Sequence, residues 1–388
     1  RHVHHLILIT LLVLLTVEPT VVGIGSEDSS VDLARWVIRL LTYGLAFGAF
    51  LLWRPGPIRA PLGWLLAAAV ALAAVAPWGA NPLGDALVGF GIVAMVLYAA
   101  VAVDRLGFDR VMLVTLLVLT AVVAIGGLVS VGDPRWSGLS GGANGYGIQG
   151  ALIVVLAVHR WLRSTSPLWL AFVPIGLVAA VASDSRVALL AIGVGVFMLV
   201  RDLLPPLSAV LVLLVVVAGL VSTASSNIAS DVAVEASRSG EAEEITTLTG
   251  RTDIWESSLD AIRQRPLTGW GITGVRPIYS DAVVRGELAF EAQDAHNVLV
   301  QVALVGGIAP AVLLLAAALS YLVGLSVSTN RLRDALVAMV VLHGLTEAVI
   351  GSEPRLLFFV FATALASAAA DRRTPVPAPA PARRSVTS

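Results

Sequence analysis

The chain has 388 residues, of which 57% are hydrophobic and 13% charged, and its formal net charge is −1. A soluble domain carries roughly a quarter charged residues, so this chain lacks the polar surface to stay in solution, and its near-zero charge gives nucleic acid no bulk electrostatic hold. There are no cysteines, which removes disulfides, thiolate metal sites and cysteine nucleophiles, and all 25 basic residues are arginine, which removes Schiff-base and P-loop lysines.

Apolar runs of about 17–25 residues, each long enough to cross a hydrocarbon core of roughly 30 Å, recur along the chain. They are too long for barrel strands, which need about 9–11 residues. The expected fold is an all-α polytopic membrane protein with about 12 transmembrane helices. The pattern predicts them near 6–24, 33–53, 61–78, 84–103, 110–131, 145–161, 167–183, 187–201, 205–222, 296–326, 334–350 and 354–371. The sequence opens at Arg1, and no convincing small-residue cleavage site follows the apolar run from Leu6, so that run reads as the first helix.

Arginines sort by alternate loops. Arg54, Arg59, Arg105, Arg110, Arg160, Arg163, Arg201, Arg331, Arg333, Arg372, Arg373, Arg383 and Arg384 share one side, while the short loops 25–32, 79–85 and 351–354 hold mostly Gly, Ser, Asp, Glu and Asn. The positive-inside rule then puts both termini in the cytoplasm and the long hydrophilic stretch outside. The organisation expected is an N-terminal bundle over 1–222, an extracytoplasmic loop over 223–295, C-terminal transmembrane helices over 296–371, and a Pro/Ala-rich disordered tail over 372–388.

Residues 223–248 lack periodicity, but the character changes at "TGRTDIWESSLDAIRQRPLTGWGITG". Thr252 suits a helix cap, Trp255, Leu259 and Ile262 share a helical face, and Pro266 stops that helix. The turn that follows, with Gly269 and Gly271, offers backbone amides to an anion. Gly269, Gly271 and Gly274 formally spell a dinucleotide fingerprint, which is set aside because no β-α-β unit surrounds it.

The topology brings three basic residues to the external side: Arg186 after "ASDS", Arg251 at the opening of the loop helix, and His296 before the next apolar run. An arginine at a membrane boundary must snorkel or find an anion. Paired with Asp184, solvated in the loop, or starting a helix beside Asp294 and Asn297, each of the three also has an ordinary structural reading. His343 and Glu347 lie four apart on the penultimate predicted helix, so they share a face as a structural pair or a proton relay.

The segments "SDSRVALLA", "GRTDIWESSLDAIRQRPLTGWG" and "AHNVLVQVALVGGIAP" resemble successive signatures of the O-antigen ligase family, which includes related polysaccharide polymerases. The earlier "RWSGLSGGANGYG" resembles its arginine–glycine–asparagine loop, although "SGGAN" replaces the more usual proline before the asparagine. The resemblance implies a fold similar to membrane-embedded GT-C-type glycosyltransferases in the cytoplasmic (inner) membrane. It implies transfer of a glycan from an isoprenoid-diphosphate carrier to a hydroxyl of a lipid, glycan or protein acceptor, or polymerisation of repeat units. Arg186 and Arg251 would then bind the diphosphate and His296 would act at the acceptor. Arg135, Asn144, Gly269, Gly271, Asn297 and Trp255 would line the substrate site, with the lipid bilayer as a further partner.

The chemistry makes independent sense. A diphosphate leaving an anomeric carbon needs charge stabilisation, which two guanidinium forks supply without a metal or other cofactor. A histidine suits a general base for the acceptor proton, or alternatively a hydrogen-bond donor to the diphosphate. A different class, a proton-coupled transporter or flippase for lipid-linked sugars, draws support from the helix number and the His343–Glu347 spacing.

Overall fold

A computed structural model describes residues 2–21, 29–140, 142–202, 251–288, 290, 292–325, 330–349 and 356–371. Every regular element among them is helical: α1 (His2–Val21), α2 (Ser29–Leu52), α3 (Leu62–Ala74), α4 (Pro82–Leu106), α5 (Phe108–Val129), α6 (Ala143–Ser164), α7 (Val173–Ala182), α8 (Arg186–Val200), α9 (Arg251–Gln264), α10 (Val275–Val284), α11 (Val298–Gly306), α12 (Ile308–Leu325), α13 (Arg331–Gly344) and α14 (Leu356–Asp371). Short 3₁₀ turns cover Ala76–Trp78 and Pro167–Phe172. The helix expected at 205–222, the mobile stretch expected at 223–248 and the tail after Asp371 lie outside the described residues.

Among the described helices, α4, α5 and α6 are long and apolar enough to cross a membrane. With 22–25 residues at about 1.5 Å per residue, each spans on the order of 33–38 Å. Shorter apolar stretches lie in α1, α2, α3, α7, α8, α12 and α14. α4 and α14 form the centre, buried along most of their length. They pack against each other, α4 also against α2 and α3, and α3 against α12. A second group joins α6 to α7 and α8, and α8 to α13. Close approach there depends on small residues: a Cβ on Gly147 would meet the Ser183 side chain at 2.4 Å, and one on Gly150 the Gly176 carbonyl oxygen at 2.5 Å.

Three helices connect two polar ends. At one end Arg163 pairs with Asp109, Arg331 with Asp202, and Arg201 with the buried Asp334, which also accepts from Tyr321. The opposite ends of α6, α8 and α13 lie beside residues 135–144, 183–186 and 345–349, the ground of the candidate site.

Several expected elements are revised. The run 296–326 is two helices, because Gly307 takes φ +81°, open to glycine and strained for other residues. The Ile308 amide freed at the break donates to the Pro266 carbonyl (2.8 Å), so the loop turn satisfies the broken backbone. The penultimate helix ends at Gly344, which leaves Glu347 beyond it. The loop helix α9 already includes Thr252, and its buried face is Ile254, Ser258, Ala261 and Ile262. Leu259 is exposed and Trp255 half-buried, so the buried stripe is offset by one position from the expected one. The short helix α10 carried too little periodicity to be expected.

Candidate functional site

Glu347 is the centre of the candidate site. Its Oε1 accepts from Asn144 Nδ2 (2.6 Å) and from an Arg251 guanidinium nitrogen (3.1 Å), and its Oε2 lies 3.2 Å from His296 Nδ1. Arg135 donates to Asn144 Oδ1 (2.9 Å) and to the Ser183 carbonyl (2.8 Å), which ties this network to the start of α8. Residues 135, 144, 251, 296 and 347 therefore converge from four separate parts of the chain.

Local backbone explains how His296 reaches that position. Asn297 caps α11, its Oδ1 accepting from the Leu299 and Val300 amides (3.0 and 3.2 Å). His296, one residue earlier, takes φ +47°, a left-handed conformation that His tolerates better than most side chains. Its amide donates to Asp294 Oδ1 (2.9 Å). The neighbouring Ala295 is held on both sides, its amide by Gln301 Oε1 and its carbonyl by the Trp255 indole (2.9 and 2.8 Å). The α8 entrance repeats the pattern: Asp184 at φ +49°, then Ser185 as cap, then Arg186.

Electrostatics follow from this wiring. Burial alone would lower the His296 pKa, but the hydrogen bond with Glu347 and the charges of Asp294 and Glu347 outweigh it and hold the imidazole above its ordinary value. Burial alone would raise Glu347. The hydrogen bond from His296 and the positive charges of His296, His343 and Arg251 instead hold its carboxyl well below the usual carboxylate range. With Nδ1 turned to Glu347, the neutral ring carries its proton there and leaves a lone pair on Nε2.

Apart from His343, the expected site residues fall into three groups. Arg135, Asn144, Arg251, His296 and Glu347 form one network. Arg186 stands at the N-terminus of α8, three residues from the Ser183 carbonyl that Arg135 holds; its side chain is exposed and makes no ion pair among the described residues. Gly269, Gly271, Asn297 and Trp255 are engaged otherwise. The amides of Gly269, Trp270 and Gly271 donate to the carbonyls of Arg265, Leu304 and Val305 (3.0, 2.9 and 2.9 Å), so in this structure they pack the turn instead of facing an anion. Asn297 spends its oxygen on the cap and its Nδ2 on the Leu345 carbonyl (3.3 Å). Trp255 uses its indole N–H to position Ala295, and Trp270 donates to the Ala261 carbonyl (2.8 Å) beneath the Arg265 guanidinium.

His343 and Glu347 do not share a helix face, because α13 has ended between them. Their four-residue spacing was read as helical periodicity, while the three donors to Glu347 come from elsewhere in the chain. Sequence reasoning passed over Gln301, which an apolar run containing a single buried amide does flag. Asp294, His296 and Glu347 also offer ligand atoms within 4.8 Å of one another, a spacing that a cation could bridge. Arg251 already sits on Glu347 in that arrangement.

Residues 170–316 match the family model described as O-antigen ligase. No curated protein and no solved structure matches the chain. The matched residues include Arg186, Arg251 and His296, and they end before Glu347. That segment is similar to the O-antigen ligase family, and it lies in a chain with three helices long and apolar enough to cross a membrane among its described residues.

Proposed function

We propose that this protein is a metal-independent glycosyltransferase that moves a glycan from an isoprenoid-diphosphate carrier to an acceptor hydroxyl outside the cytoplasmic membrane. The observation that carries the reading is the shared carboxylate of Glu347, which brings the base candidate His296 and the guanidinium of Arg251 to one place. In the reaction, His296 Nε2 takes the proton of the acceptor hydroxyl as its oxygen bonds to the anomeric carbon. The bond from that carbon to the diphosphate oxygen breaks, and the electron pair leaves with the diphosphate.

Arg251 and Arg186 neutralise the diphosphate, with further positive potential from the N-termini of α6 and α8. Glu347 keeps the imidazole oriented and stabilises the imidazolium once it forms, the part a buried carboxylate plays in other base–carboxylate pairs. The same site serves repeat-unit polymerisation if the acceptor is itself a glycan chain. The transporter reading keeps the helix number as support, but the helix face it assigned to His343 and Glu347 ends with α13 at Gly344.

The test is transfer in reconstituted vesicles from an isoprenoid-diphosphate oligosaccharide to a crude acceptor fraction, with chelator and without a proton gradient. The expected result is a covalent product that Arg186→Ala, Arg251→Ala and His296→Ala each fail to form. Loss of transfer on chelation would hand the Asp294–His296–Glu347 trio to a metal. Gradient-dependent movement of the lipid-linked sugar with no covalent product would overturn the reading.

A further inference from the structure

The segment 251–297 carries Arg251 at one end and His296 at the other, so whatever fixes it against the bundle also fixes the site. The turn between α9 and α10 is held from two directions. From α11, the carbonyls of Leu304 and Val305 accept from Trp270 and Gly271 (2.9 Å each). From the first turn of α4, Asp85 Oδ1 accepts from the Thr273 amide (2.9 Å), and the Asn81 amide donates to Thr273 Oγ1 (3.0 Å).

Asp85 is 2% exposed. The N-terminal amide that the α4 cap serves, Gly84, is already taken by Asn81 Oδ1 (3.1 Å), so Asp85 is not needed as the cap. Its second oxygen has no hydrogen-bond partner among the described residues and lies between two glycines: a Cβ on Gly79 would come within 1.8 Å of it and one on Gly271 within 2.1 Å. A half-satisfied buried carboxylate is costly to keep. Here it joins two distant turns that could not approach so closely with side chains on either glycine.

We propose that Asp85 is a positioning residue for glycan transfer, clamping the 269–273 turn to the bundle so that α9 delivers Arg251 to Glu347. This rests on the function proposed above. The carboxylate does not touch the reacting groups; it acts through Thr273, the turn and α9. The feature that matters is the acceptor oxygen facing the Thr273 amide, so Asp85→Asn keeps the clamp and Asp85→Ala releases it.

The chain has no cysteine, and Leu83 and Leu267 are 72% and 80% exposed, so Leu83→Cys with Leu267→Cys gives a pair for spin labels across the clamp. Distances would be read in lipid nanodiscs, beside transfer kinetics for the same proteins. The expected result is a narrow distribution in the labelled parent and in Asp85→Asn, and a broad or displaced one in Asp85→Ala. Transfer kcat/KM should fall on the order of tenfold to a hundredfold in Asp85→Ala and recover in Asp85→Asn.

An unchanged distribution in Asp85→Ala would overturn the clamp, and so would a broadened one with parental kinetics. If Asp85→Ala does not fold, Asp85→Asn still decides: a broad distribution there refutes the acceptor role. Parental transfer by Arg251→Ala and His296→Ala would instead sink the transfer reading, and the distances alone would then decide the clamp.

Discussion

Glu347 takes hydrogen bonds or close contacts from three side chains on three separate elements, and removing its charge should be felt by each of them. The His296 pKa is held up in the folded protein, so the His296–Glu347 interaction is complete below the ordinary histidine value and is lost as pH rises through the raised one. Glu347 is held down, so its contribution is complete above the ordinary carboxylate value and is lost as pH falls through the lowered one. The pair is therefore strongest between about pH 4.5 and 6.5. A general base must be neutral, so the acid limb of kcat/KM should fall above the ordinary histidine pKa. In Glu347→Gln burial prevails, and a pH–rate profile should show that limb moved to lower pH. An unmoved limb would separate His296 titration from Glu347. His296→Ala should cost about 10²–10⁴ in turnover, the usual range for a lost general base.

At the scale of elements, the turn and the helix break are built for each other. Gly269 has φ +63°, and a Cβ there would lie 2.3 Å from the Val305 carbonyl oxygen. Gly269→Ala should therefore destabilise the protein by about 1–3 kcal/mol, from backbone strain with the clash added, and a thermal melt in detergent would measure it. Asn297→Ala should cost about 1 kcal/mol as a lost cap and also free the Leu345 carbonyl, loosening the strand of chain that carries Glu347.

The helices were legible where apolar length decides them: α4, α5 and α6 lie within a few residues of expectation. The break at Gly307 was not, because a Gly-Gly pair inside an apolar run is locally compatible with an unbroken helix, and only the Pro266 carbonyl supplies the alternative partner. The early end of α13 was hidden for a similar reason. His343 and Glu347 have helical spacing, and the donors that draw Glu347 away come from residues 144, 251 and 296. The short motifs named Arg135, Asn144, Arg251 and His296, yet the carboxylate that joins them lies outside all of those motifs.

At the scale of the whole molecule, the proposed function uses one polar end of α6, α8 and α13 and leaves the other to stability. The Arg201–Asp334 pair (2.8 Å) lies at the end away from Glu347, and the Asp334 side chain is fully buried. Arg201 would keep Asp202 (3.6 Å), but the Tyr321 hydroxyl would lose its buried acceptor, so Asp334→Ala should cost about 1–3 kcal/mol. Melting should report that loss, while transfer per folded molecule stays near the parent level. Equal loss of melting temperature and of specific turnover would mean that the two ends are coupled.

The central claim divides labour between a guanidinium that holds the donor and an imidazole that takes the acceptor proton. Donor binding and single-turnover transfer, measured side by side on Arg251→Ala and His296→Ala, test that division most directly. The account predicts that Arg251→Ala loses affinity for the isoprenoid-diphosphate glycan, while His296→Ala binds it normally and fails in the chemical step. Normal donor binding by Arg251→Ala, or rapid single-turnover transfer by His296→Ala, would contradict it.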